Sequence, residues 1–205
     1  MTTNYLENQR SARGFHTTAS LITSVGPQNT ILDEHSILIS EGVTIGYGNV
    51  FYPGVTIERQ DEGTIEIGNN NIFYPGTYIY CSLGSVTVEN QNEFGPAGFT
   101  LRANTPDAHI EIGNGGRYCD GASIMGKTIL GSGSQVIGIV TVQNCTLGEG
   151  GTSKEPNPDK RGAVLKGFGR ARGIDLATGE VINGNGDFTT APIEMQRSYH
   201  PGSPK

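Results

Sequence analysis

The sequence predicts an all-β prism of short stacked coils, and three observations predict it. An aliphatic or aromatic residue returns every six positions through Ile39, Ile45, Phe51 and Ile57. A second apolar residue sits two places earlier in several units, as Ile37, Val43, Val55 and Ile65 do. That spacing puts both side chains on one face of a strand. The stretch Phe-Tyr-Pro-Gly recurs at Phe51–Gly54 and at Phe73–Gly76. Glycine makes up 31 of 205 residues, about twice the usual share of roughly 7%. Glycine, asparagine and aspartate cluster between the apolar positions, where positive φ is tolerated. A period of six therefore holds one short strand and one turn. An antiparallel sandwich would space its strands less regularly, with hairpin turns roughly every 8–12 residues.

Residues 1–30 read as an N-terminal cap. Gly14–Val25 carries β-branched residues and is expected to add a strand or to cover the first coil, and Gly26-Pro27 breaks it. Ile31–Gly42 reads as an imperfect first coil. The starts Ile45, Ile67, Val88, Ile112 and Leu130 are 22, 21, 24 and 18 apart. Three hexads make an unembellished coil of the last length, so the earlier coils carry insertions. These fall within Arg59–Glu66, Cys81–Ser85 and Arg102–His109, each after the second hexad, and should stack on one edge. The repeat region is expected over 31–151. Residues 152–205 form a C-terminal extension: a polar loop from Thr152, then strand-like pieces around Ala177-Thr178-Gly179. These are expected to form a β-hairpin laid against the prism, followed by a mobile extended tail.

Composition excludes several classes. A net charge of -6 speaks against a nucleic-acid partner, which requires a broad basic footprint. The polar start Met1–Phe15 lacks the apolar core of a signal peptide. No apolar run approaches the ~20 residues that span a bilayer. Three cysteines, Cys81, Cys119 and Cys145, form no C-x-x-C, and the simplest expectation is buried free thiols in a reducing cytoplasm.

The passages Ile45–Glu58, Ile67–Ile79 and Ile112–Gly138 resemble the hexapeptide-repeat superfamily. The resemblance covers just over half of the chain. It implies a left-handed parallel β-helix with triangular coils, a homotrimer, and active sites between adjacent prisms. The handedness comes from the resemblance alone, because backbone physics favours right-handed parallel crossovers. Within that superfamily, Phe99–Gly148 is most similar to gamma-class carbonic anhydrases, which hold zinc or iron through three histidines. The positions matching the last two are Asp120 and Met125, and the first falls on Arg102. Arginine has no acceptor for a metal cation, and one carboxylate with one thioether is a poor zinc site. No metal is therefore expected. Arg102 and Asp120 are expected either to pair where the metal would sit or to be unrelated solvated residues.

Acyltransferases of the superfamily use a histidine as general base. His109 lies in the longest insertion and has the near-neutral pKa that suits the role; a solvated loop histidine is the alternative. His35 lies in the first coil and His16 and His200 in the extensions; each is read as incidental, and His200 reaches a site only if the tail folds back. Cys119 and Cys145 are read as buried. Lys154, Lys160, Arg161, Lys166, Arg170 and Arg172 are six of the fourteen Lys and Arg residues. By resemblance they could hold the phosphates of acyl-coenzyme A; a solvated strand face or a trimer contact is the alternative. The expected function is acyl transfer from acyl-CoA to a small hydroxyl or amine acceptor at a subunit interface. The alternatives are a carbonic anhydrase-like protein with a degenerate metal site and a non-catalytic scaffold.

Overall fold

The computed structural model describes residues 2–203. Its centre is the parallel β-helix expected from the hexads. The first face stacks Thr30–Ile31, Val50–Phe51, Ile72–Phe73, Glu93–Phe94 and Arg117–Cys119, all parallel. The second stacks Leu38–Ile39, Thr56–Arg59, Thr77–Cys81, Phe99–Ala103 and Ala122–Met125. The third runs from Thr44–Ile45 through Thr64–Ile67, Ser85–Val88, His109–Ile112 and Thr128–Leu130 to Thr146–Leu147 and Asp175–Leu176. The three insertions all lie at the corner between the second and third faces, as their spacing requires. Gly54 and Gly76 of the repeated tetrapeptide turn the corner between the first and second faces at φ 78° and 80°, a conformation costly for any residue with a Cβ.

The strands alternate inward apolar and outward polar residues, as in the buried–intermediate pattern of Thr77–Cys81. Inward side chains form columns along the prism. On the first face, Phe51, Phe73, Phe94 and Tyr118 stack with ring centroids 5.0, 5.1 and 5.5 Å apart. Beside this column, at the corner between the third and first faces, runs a buried ladder of asparagines. Asn49, Asn71 and Asn92 are fully buried. Each Nδ2 donates to the Oδ1 of the asparagine one coil earlier, at 3.0, 3.1 and 3.1 Å. Each also donates to a corner carbonyl, of Gly68, Glu89 and Gly113 respectively. The same Oδ1 atoms accept the backbone N–H of the next asparagine, and Asn92 Oδ1 accepts that of Gly116 at 2.7 Å. At Gly116 the column changes. A Cβ there would lie 2.1 Å from the Tyr118 hydroxyl, and that hydroxyl is 3.0 Å from Ser134 Oγ. The last member of the aromatic column thus takes over the ladder's position.

The N-terminal segment covers the first coil, but with helices rather than a strand. Helices α1 (Thr2–Ala12) and α2 (Thr18–Ser24) precede the prism. Thr17 Oγ1 caps α2 by accepting the Ser20 N–H at 3.0 Å. Leu21, Val25 and Phe15 are buried against the core. Arg10, only 8% exposed, donates to the carbonyls of His16, Glu34 and Ile37, which satisfies the open end of the chain.

The C-terminal hairpin expected around Ala177–Gly179 is absent. Val164–Arg172 pairs parallel with both Gln135–Gln143 and Glu180–Asp187, so the prism resumes after a loop at Thr152–Gly162. These three long strands run from the first face round the corner onto the second. The physical reason is visible in the core: Leu165, Ala171, Leu176, Ile182 and Phe188 are buried and continue the inward columns. Nor does the tail stand free. Glu194–Met195 pairs antiparallel with Glu180–Val181, and Gln196 Nε2 donates to the Gly162 carbonyl at 2.8 Å.

Replacing Asn71 with alanine removes partners from the Asn92 N–H, one Asn92 Nδ2 hydrogen and the Glu89 carbonyl. Since each orphaned buried polar group costs about 1–3 kcal/mol, N71A should lose at least about 2 kcal/mol in denaturant unfolding.

Candidate functional site

One concave feature is a trough on the first face. It consists of two adjoining hollows of about 430 and 270 Å³ that share Arg117 and Ser153. Its floor is the outward side of the first-face strands, where Glu93, Arg117, Gln135 and Val164 lie in register. One wall is the Thr152–Gly162 loop. The other, at the C-terminal end, is the returning tail with Gln196, Tyr199 and His200. The loop is braced internally: Arg161 Nε donates to the Glu155 carbonyl at 2.7 Å. The tail is tied to it by the Arg197–Asp159 ion pair at 2.6 Å.

Cations converge here in a chain that is acidic as a whole. Lys154 lines the first hollow, Arg161 and Lys166 the second, and Arg117 both. Arg161 Nη1 lies 3.3 Å from His200 Nε2, and Lys166 Nζ sits 3.3 Å from the centre of the Tyr199 ring. Burial pushes the Lys166 ammonium below its usual pKa, and Glu194 partly restores it. The Tyr199 hydroxyl donates to Glu194, which raises the phenol's pKa. The arrangement can hold an extended anion with phosphate-like groups against guanidinium and ammonium donors.

The six expected cations therefore divide. Lys154, Arg161 and Lys166 meet at the trough. Lys160 is exposed on the outside of the loop. Arg170 and Arg172 stand on the second face, opposite Thr141 and Gln143. Arg117 and His200 join the cluster without having been picked out as its members. Arg117 lies early in the sequence and is brought in by parallel register; His200 arrives because the tail folds back.

Arg102 and Asp120 form no ion pair in this chain. Arg102 points out from the second face opposite Tyr80 and Met125. Asp120 sits at the corner between the first and second faces, at φ 62°, where the Cys119 thiol reaches its Oδ2 at 3.4 Å. The width of a strand separates the two positions. Among the described residues no group of three or more His, Cys, Asp or Glu is placed to hold a metal ion.

His109 begins a third-face strand at the edge shared with the second face and is exposed. Its Nδ1 lies 2.8 Å from Ser85 Oγ one coil earlier, in direct register. Ser85 fixes the ring and leaves Nε2 free toward solvent. The serine was not singled out in the sequence, although its position opposite His109 follows from the coil spacing. His109 and the trough lie on different faces, so a single chain does not bring them together.

No protein-family model matches the chain, and no curated protein matches it in sequence. Among solved structures it is similar to LpxA from Acinetobacter baumannii, at 14% identity over 87% of this chain and 77% of that one, with a TM-score of 0.40. It is also similar to PerB from Caulobacter crescentus, solved in complex with CoA and GDP-perosamine. There the identity is 18% over 82% of this chain and 57% of that one, with a TM-score of 0.24. Both likenesses are distant, and the trough's own side chains are the firmer guide to what it binds. No helix among the described residues is long and apolar enough to cross a membrane.

The cysteines take no part in this site. All three are free and buried, and burial raises each thiol's pKa, that of Cys119 to about 11. A raised pKa keeps the unreactive thiol form at neutral pH. The folded protein should therefore resist iodoacetamide at about pH 8, with all three sites labelled only after denaturation, as read by intact mass.

Proposed function

We propose that this protein transfers an acyl group from a coenzyme A thioester to a small hydroxyl or amine acceptor, the thioester's phosphates lying in the first-face trough. The observation that carries this reading is the convergence of Arg117, Lys154, Arg161, Lys166 and His200 on one trough of an otherwise acidic chain. Phosphate and pyrophosphate groups match those donors in charge and geometry. His109 serves as general base through Nε2. It removes the acceptor's proton as the nucleophile attacks the thioester carbonyl; the C–S bond then breaks and the proton is delivered to the leaving thiolate. Ser85 holds the imidazole from the other side and sets which nitrogen faces the acceptor.

Because His109 and the trough occupy different faces, this reading requires a second copy of the chain to bring its His109 edge to the trough. A homotrimer of prisms is the assembly proposed. Asp120, which does not meet Arg102 within one chain, is proposed to face the same boundary between copies. No metal takes part in the proposed transfer.

Calorimetry with acetyl-CoA tests the binding half. The double variant R161A/K166A loses two charged donors worth about 1.5–3 kcal/mol each, so affinity should fall by at least tenfold, roughly. H109A should bind acetyl-CoA as the parent does and yet release no free thiol with a panel of amine and hydroxyl acceptors. Mixing H109A with R161A/K166A under subunit exchange should restore part of the activity, because some boundaries then carry one intact contribution from each copy. Absence of binding to acetyl-CoA defeats the proposal outright, and failure of the mixture to recover defeats the two-copy site.

A further inference from the structure

We propose that the second face carries a shallow binding site for a neutral oligosaccharide, built on Tyr78 and Tyr80 with Glu58, Gln60 and Arg102 around them. The site lies on a different face from the trough and does not depend on the acyl-transfer reading.

Tyr78 and Tyr80 alternate outward on Thr77–Cys81, whose other side chains are buried. Their ring centroids are 6.2 Å apart and their planes within 22° of each other. Both rings lean toward the preceding coil. The Tyr78 hydroxyl donates to Glu58 Oε2 at 2.9 Å, and the Tyr80 hydroxyl to Gln60 Oε1 at 3.2 Å. Gln60 Nε2 in turn donates to Glu58 Oε1. Two phenols, an amide and a carboxylate thus form one connected network that fixes the rings in advance. A ligand docking on them meets little further loss of rotamer freedom.

On the following coil Arg102 stands directly opposite Tyr80. It is exposed, and its guanidinium makes no hydrogen bond or ion pair among the described residues. Thr56 and Thr100 flank Tyr78 in the same register. Adjacent coils are about 4.8 Å apart, so the five side chains span three coils, the reach of a short run of sugar rings.

The chemistry selects the ligand class. A pyranose has an apolar C–H face and a rim of hydroxyls. Tyrosine rings offer an apolar body for the first. Glu58 and Gln60 keep acceptor capacity for hydroxyl protons, and Arg102 offers donors for hydroxyl and ring oxygens. One carboxylate and one guanidinium leave the patch without net charge, unlike the cationic trough. That balance favours a neutral ligand over a nucleotide, whose phosphates would meet Glu58. The in-register strands also make the patch flat, which suits an extended saccharide lying along the face.

The chain has 8 tyrosines and no tryptophan, so its intrinsic emission is from tyrosine, and the part that changes on binding is assigned to the patch by its loss in Tyr80→Ala. The full-length protein is titrated with cellohexaose, maltohexaose, laminarihexaose and N,N′-acetylated chitohexaose, by fluorescence and by calorimetry. At least one should bind saturably with a Kd of about 1 mM or tighter. Tyr80→Ala and Arg102→Ala should each weaken it about tenfold while the protein stays folded, since both side chains point outward. Tyr78→Phe, which keeps the ring but frees Glu58, should retain more binding than Tyr80→Ala. No saturable binding up to about 10 mM, or binding that survives Tyr80→Ala, overturns the proposal. So does adenosine binding at the same tyrosines with no saccharide bound. Loss of self-association in the two alanine variants, again with no saccharide bound, overturns it in favour of a contact between copies.

Discussion

The buried asparagine ladder is the constraint on which the rest of the prism depends. Each amide in it uses both Nδ2 hydrogens and accepts at Oδ1 from the coil that follows. A buried amide is stable only when its partners are in place. Every coil from Asn29 to Asn92 must therefore return to the same corner with the same geometry. A loop inserted at that corner would strand several buried polar groups at once. Coil length can vary only elsewhere, and in this region it varies at the corner between the second and third faces, where Arg59, Cys81 and Ala103 end their strands.

The ladder ends at Gly116, where the Tyr118 hydroxyl and Ser134 replace it. Past that point the corner between the third and first faces is released. The Thr152–Gly162 loop emerges at that corner, between Thr146–Leu147 and Val164–Arg172. The trough follows from this. Its wall grows where the amide column no longer forbids an insertion, and its floor is the first-face register of Glu93, Arg117 and Gln135. The returning tail then closes the far end through Gln196 and the Arg197–Asp159 pair.

Much of the architecture was legible because hexad periodicity depends only on which residues are apolar. The stacking of the three early insertions followed from subtraction of residue numbers. Asparagine was harder to read. Asn49, Asn71 and Asn92 look like turn residues in a sequence, and some neighbours are: Asn70 has φ 57°. Only the coil offset shows that one position in each turn lies directly above its equivalent. The C-terminal coils carried the same signal in Leu165, Ala171, Leu176, Ile182 and Phe188, nearly six apart. The preceding loop broke the count, and Ala177–Gly179 resembled a hairpin turn. Helices α1 and α2 are too short, and α1 too polar, to show a clean 3.6-residue period. Of the candidate site, Lys154, Arg161 and Lys166 were legible as composition. The division of the basic cluster between two faces was not, because corners rather than chain distance decide which side a cation meets. Arg102 and Asp120 were matched by resemblance, and strand register places them at opposite ends of one face.

The outward faces differ in charge, and that difference follows from the same register. Glu66, Glu111 and Asp175 point out from the third face in the polar phase of strands whose alternate residues are buried. Arg117 and Lys166 occupy the equivalent phase on the first face, and Arg102 and Arg172 on the second. Charges on separate faces are divided by the prism's apolar core and by solvent, and at physiological ionic strength their interaction is screened beyond about 8 Å. The net negative charge of the chain therefore does not cancel the local positive potential of the trough. An anion approaching the first face meets Arg117, Lys154, Arg161 and Lys166 together, with Glu93 the nearest carboxylate on the floor. The same anion approaching the third face meets carboxylates. The anionic ligand proposed for the trough and the neutral one proposed for the second face would thus meet different sides of one prism, with no second domain needed to hold either.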